Sequence, residues 1–288
     1  FFDVFSEMLV ILFCMAAGFL AHKLGYLGGE TDQKLCRLIL GITMPCLILG
    51  SVSAGDTLPS AGEILSILKV AAVFYGLGFL TAAFVPRLLG GTAKQQGVWR
   101  YCLVFANMAF IGYPVSVALF GQDALFYAVI LVLPFNLLSF SLGPLMLAGQ
   151  AKFRWQQLTS PCVIAAVAAL VVALCRLNIP ALAGECLNFV GSLTTPLSLL
   201  VVGSLLADLP FGRAFTSLRL WILTALRLLI LPGVLWLVLK WTGIGTPLVD
   251  DIAVILMATP AALNGSMLAM EYGGDTECMA QSIFLTTL

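Results

Sequence analysis

The chain has 288 residues, 61% of them hydrophobic and 10% charged, with a mean hydropathy of +1.07 and a net charge of +0. A soluble domain carries about 25% charged residues, so this chain cannot cover a water-exposed surface and reads as an integral membrane protein. The balanced charge offers no basic face for nucleic acid.

A spanning helix needs about 20 mainly apolar residues. Nine stretches meet this in chain order: 2–22, 33–53, 62–86, 97–121, 123–149, 159–177, 185–208, 215–240 and 249–272. A tenth runs from Thr276 to Leu288, and the natural chain is expected to continue by about ten apolar residues to complete it. Asp3 and Glu7 stand where a secretory signal would be positive. The first residue is Phe1 rather than Met, so the natural chain is also expected to begin earlier. His22, beside Lys23, reads as an interfacial residue. The eight cysteines form no C-x-x-C pair and lie mostly in apolar runs, where they serve as small packing residues rather than disulfides or metal ligands.

Lysine and arginine set the orientation. Loops after the odd-numbered spans hold ten: Lys23, Lys34, Arg37, Arg87, Lys94, Arg100, Lys152, Arg154, Arg213 and Arg219. Loops after the even-numbered spans hold Arg176 and Lys240. Odd loops are therefore cytoplasmic and both termini outside, in a multi-pass membrane protein.

Internal repeats follow. Thr43, Pro45 and Leu49 of span 2 match Thr194, Pro196 and Leu200 of span 7 at one spacing. Phe120-Gly121-Gln122-Asp123 matches Tyr272-Gly273-Gly274-Asp275 at nearly the same spacing. The expected fold is all-α: ten transmembrane helices in two repeats of five, 1–149 and 150–288, the second inverted and ending in a truncated helix. Inverted repeats with interrupted helices are a plan of secondary transporters.

The interruptions fall in spans 4 and 9. Gly112-Tyr113-Pro114 breaks the first, since proline removes a backbone donor and Gly adds freedom. Pro260 to Asn264 breaks the second. The repeat spacing overlays Asn107 on Thr259 and Gly112 on Asn264 as equivalent positions, with the two arms expected to cross near the midplane. A broken helix exposes N–H groups that favour anions, and Asn107, Thr259, Asn264 and Ser266 add neutral donors. No Asp or Glu lies in 102–120 or 254–270. A cation exchanger needs a carboxylate there, so the site favours a small organic anion.

Other polar residues carry weaker signals. Arg227, inside span 8, either snorkels to the cytoplasmic face or supplies charge compensation for a buried anion. Asn136, after Pro134, either faces the transport path or bonds a neighbouring helix. Asp123 and Asp275 read as helix N-caps. Thr43 and Pro45, like Thr194 and Pro196, mark kinks in which Thr satisfies carbonyls that Pro leaves free. There is no Ser/His pair, no buried aspartate pair and no phosphate-binding loop, so neither an enzyme nor an ATP-driven pump is expected, and no cofactor or metal.

The run Asn107-Met-Ala-Phe-Ile-Gly112-Tyr-Pro114, with Phe120-Gly121 after it, resembles the N-x-x-x-x-G-x-P pattern of the auxin efflux carrier family. Pro260-Ala-Ala-Leu-Asn264 with Ala269-Met-Glu271-Tyr272 is similar to that family's second broken helix. Gly41-Ile-Thr-Met-Pro45 and Pro134-Phe-Asn136 through Gly143 also look like its bacterial members. The family is related in fold to bile acid–sodium symporters and sodium–proton antiporters. The resemblance implies a scaffold of helices 1, 2, 6 and 7, an elevator-like transport domain of helices 3–5 and 8–10, and a homodimer. Plant members export indole-3-acetate, and bacterial members are linked to malate, malonate or similar carboxylates. Residues 150–158 replace the long loop of many plant members. By this resemblance the substrate site comprises Asn107 and the break near Pro260–Asn264. Two rivals remain at this level, a cation-coupled carrier of the same fold and a non-transporting receptor. The sequence names no coupling ion.

Overall fold

The computed structural model describes residues 2–50, 52, 61–121, 123–148, 161–175, 177, 179–207 and 216–288. Lys152, Arg154, Arg176 and Arg213 of the orientation argument lie outside them. Helices make up all the regular secondary structure that is described. In chain order they are α1 (Phe2–Lys23), α2 (Gly29–Leu38), the π-turn π1 (Ile39–Thr43), α3 (Met44–Gly50), α4 (Ala61–Leu89) and α5 (Ala93–Val104). Then come π2 (Met108–Gly112), α6 (Tyr113–Phe120), α7 (Asp123–Leu147), α8 (Pro161–Cys175), α9 (Ala181–Gly191) and α10 (Thr194–Ala207). The chain ends with α11 (Leu218–Ala225), π3 (Leu226–Ile230), α12 (Leu231–Thr242), α13 (Pro247–Met257), α14 (Asn264–Tyr272) and α15 (Thr276–Thr287).

Among the described residues, five continuous helical stretches are long and apolar enough to cross a membrane. They are Gly29–Gly50, Ile64–Leu89, Ile130–Leu147, Ala181–Ala207 and Leu218–Thr242. Spans 4 and 9 of the sequence reading are each divided into shorter helices.

Each π-turn ends one residue before an X-Pro pair: Met44-Pro45, Tyr113-Pro114 and Leu231-Pro232. A helical proline clashes with the carbonyl four residues back and cannot donate to it. Widening the preceding turn by one residue moves that carbonyl aside. In π1 the Met44 amide reaches the Ile39 carbonyl, so the next bond would join Pro45 to Leu40. Pro45 has no N–H, and the Cys162 thiol on α8 donates to the Leu40 carbonyl instead, at 3.1 Å. The expected role of Thr43 and Thr194 in filling such gaps is not what is seen. Both hydroxyls are buried without a hydrogen-bond partner.

Small residues set the tightest packing, as they do between membrane helices. α1 runs along α10: a Cβ on Gly18 would come within 2.7 Å of the Leu200 Cα, and one on Gly203 within 2.8 Å of the Met15 carbonyl carbon. α3 packs on α8 and α9, with Gly191 against the Leu47 backbone. α7 touches the most helices: α4, α5, α6, α8, α13 and α14. α2 and α10 both reach α14, and α15 lies on α5, α10 and α11.

His22, half-buried at the end of α1, also bonds across to α10. Ser204 on α10 donates to Asp32 at 2.6 Å, and His22 Nδ1 lies 2.8 Å from the same hydroxyl. The Gly28 amide also donates to Asp32, at 3.0 Å. Asp32 is thereby buried at the α1–α2 corner with its oxygens satisfied, which a buried carboxylate requires.

Candidate functional site

α5 starts with a capping box in which Thr92 and Gln95 exchange side-chain and backbone hydrogen bonds. It ends at Val104, where the chain turns extended through Phe105 and Ala106 before entering π2. α13 ends at Met257, and the chain is non-helical until α14 begins at Asn264. These two unwound stretches lie antiparallel against each other. Ala106 and Ala261 form an isolated β-bridge. The Asn107 amide donates to the Pro260 carbonyl at 2.8 Å, and the Ala262 amide to the Phe105 carbonyl at 3.1 Å. Backbone freed by each break is satisfied by the other, which is how non-helical chain survives at membrane depth.

The position of the first break differs from expectation. Gly112-Tyr113-Pro114 is helical, because π2 carries the chain into α6 and its widened turn moves aside the carbonyl that Pro114 would otherwise meet. Unwinding falls earlier, at Phe105–Asn107. The bridge pairs Ala106 with Ala261 and brings Asn107 beside Pro260. Gly112 is there for close approach: a Cβ would run into Leu256 Cδ2 and come within 3.5 Å of Thr259 Cγ2. Tyr113 is half-buried against the core.

The second break is tied down by its surroundings. Thr259 Oγ1 donates to the Leu256 carbonyl at 2.8 Å, closing the end of α13. The Ala261 amide donates to Thr286 Oγ1 on α15 at 3.2 Å. Amides of Gly265 and Ser266 donate back to Ala262 and Leu263, which uses donors expected for a ligand. Asn264 is engaged as well. Its Oδ1 accepts from Tyr101 at 3.0 Å and its Nδ2 donates to Ser139 at 3.3 Å, while Tyr101 and Ser139 are 2.8 Å apart. Tyr101 enters a slot between glycines: a Cβ on Gly143 would meet its ring at 2.9 Å, and one on Gly265 at 2.7 Å. Tyr101, Ser139 and Thr286 escaped the sequence reading. The one available signal was Gly143 and Gly265, small residues on the faces that receive the ring.

Several groups around the breaks keep buried polar atoms without partners. Asn107 is 3% exposed and its Nδ2 bonds to nothing. Ser266 Oγ on α14 and Ser116 Oγ on α6 are also unpartnered. Arg227, in π3, is the largest fully buried side chain, at 0% exposure; it does not snorkel. Its Nη1 donates to the Leu103 carbonyl at 3.3 Å, near the end of α5. Asn136 is buried on α7, one turn from Ser139. The structure thus brings Asn107, Pro260, Thr259 and Asn264 together, while Thr43, Pro45, Thr194 and Pro196 lie on π1, α3 and α10. Among the described residues, Asp275 caps α15 as expected, accepting from the Cys278 amide at 2.9 Å.

With this geometry in view, the similarities to known proteins decide the family. A family model described as "Membrane transport protein" matches residues 3–153 and 144–288. The chain belongs to the membrane transport protein family. Family membership agrees with the resemblance read from the interrupted motifs. Relatives include an uncharacterized transporter of Methanocaldococcus jannaschii, 26% identical over 97% of this chain and 93% of its own length. One from Methanothermobacter thermautotrophicus is 24% identical over 98% and 93%. A Rhizobium meliloti protein whose name proposes malonate transport is 22% identical over 94% and 87%.

Proposed function

We propose that this chain is a secondary carrier moving small organic anions by alternating access, with cargo held beside the joined breaks of spans 4 and 9. The observation that carries this reading is the pair of unwound stretches hydrogen-bonded to each other, with Asn107 buried and its amide nitrogen unpartnered. A buried donor left unpaired costs about 1–3 kcal/mol. Cargo that accepts from it recovers that cost, so the arrangement is poised for an acceptor-rich ligand. The acid-free sequence around both breaks disfavours a cation.

The fuller reading has ten spans in two inverted repeats, 1–149 and 150–288, crossing at the breaks. Helices of spans 1, 2, 6 and 7 form a scaffold, and spans 3–5 and 8–10 move as an elevator. Dense packing of α1 on α10 and of α3 on α8 and α9 supports grouping those helices as the scaffold. A homodimer in a bacterial inner membrane, with both termini outside, completes it.

The name of the Rhizobium relative makes malonate the first probe. Purified protein in liposomes is expected to accumulate radiolabelled malonate or another short carboxylate, and Asn107→Ala to reduce uptake to background while remaining folded. Wild-type uptake by that variant would remove the breaks from the cargo site.

A further inference from the structure

We infer that the carried anion presents a planar carboxylate to Arg227, seated side-on against Nε and Nη2. This rests on the carrier reading above and names the chemistry of its cargo. Of the guanidinium's three nitrogens, Nη1 is used: it donates to the Leu103 carbonyl. That carbonyl is available because α5 stops at Val104 and the Asn107 amide, its next helical partner, turns to Pro260 instead. Nε and Nη2 are buried with no partner. They are the two nitrogens on one edge of the guanidinium, with parallel N–H bonds spaced to meet the two oxygens of one carboxylate.

A charge inside a membrane protein is normally paired. Among the described residues no acidic side chain pairs with Arg227, and its titratable neighbours are Cys102 and Tyr75. No described acidic group answers the charge, and its free edge is open to a ligand. Its position borders the first break. Leu103 lies one helical turn before Asn107, and the Tyr75 hydroxyl stands 3.9 Å from Met108 Sδ, the residue after Asn107. Arg227 itself is fully enclosed, so a carboxylate reaches the fork only when the surrounding helices part, as alternating access requires. A monatomic anion matches the charge and not the fork, and a carboxamide matches the shape and not the charge.

The test is thermal stabilisation of the purified full chain by acetate, malonate, succinate and malate, with malonamide and chloride as controls at equal ionic strength. Carboxylates are expected to stabilise the wild type, and the controls not. Arg227→Lys keeps the charge and loses the fork; it should need at least about tenfold more carboxylate. Arg227→Met should melt at or above the wild type without ligand, because an unpaired buried charge is gone, and show no response to carboxylate. Wild-type affinity in Arg227→Lys, or chloride matching malonate, overturns the inference; if Arg227→Met does not fold, Arg227→Lys decides. Should Arg227→Lys bind normally while Asn107→Ala does not, the carrier reading stands and the Arg227 assignment falls. Should no carboxylate bind the wild type, the organic-anion reading falls and takes this inference with it.

Discussion

The two breaks are alike in kind and opposite in how their polar groups are used. Most of the second is closed on itself: Thr259 caps α13, Thr286 holds the Ala261 amide, and Asn264 is bound to Tyr101 and Ser139, leaving the Ser266 hydroxyl without a partner. At the first, Asn107 offers a buried amide nitrogen to nothing, and Arg227 beside Leu103 has a free edge. Matched motifs therefore do not imply matched roles. One arm is braced so that the other can stay unsatisfied, which is the usual relation between a binding group and the structure that holds it.

This contrast can be broken by mutation. The largest effect is expected from Asn107→Ala, with uptake in proteoliposomes falling to background and the melting temperature nearly unchanged. Next is Gly265→Ala on the braced arm, where a Cβ would stand 2.7 Å from the Tyr101 ring and 2.9 Å from Met279 Sδ. Overpacking of this kind costs about 1–3 kcal/mol, read as a clear drop in melting temperature in detergent. Tyr101→Phe should cost about 1–2 kcal/mol, since the hydroxyl leaves Asn264 with one partner fewer. Thr286→Val, which strands the Ala261 amide, should cost about 1 kcal/mol. The smallest effect belongs to Ser266→Ala. Its hydroxyl has no bond to lose, so stability should stay within about 0.5 kcal/mol, and any fall in uptake would then report on ligand rather than on fold. Equal destabilisation by Asn107→Ala and Tyr101→Phe would erase the distinction between the arms.

Much of the helical plan was legible in the sequence because it follows from local chemistry. Apolar runs and the Asp275 cap coincide with helices in the structure, and each π-turn sits beside a proline. The place where span 4 unwinds was not legible. Gly112 and Pro114 looked like the break, yet the widened turn of π2 absorbs the proline's misfit and keeps the chain helical through it. The bond between His22 and Ser204 was not legible for a related reason, since it joins residues far apart in the chain.

What the sequence determined by itself is the class of solvent the protein lives in and the segments that form helices, because hydropathy and backbone capacity are properties of neighbouring residues. Tertiary structure alone decided which unwound backbone meets which, that Asn264 is spent on Tyr101 and Ser139, and that Asn107 and Arg227 are left wanting. Hydrogen-bond satisfaction is a count taken over every group within reach, and reach is set by packing between helices distant in the chain.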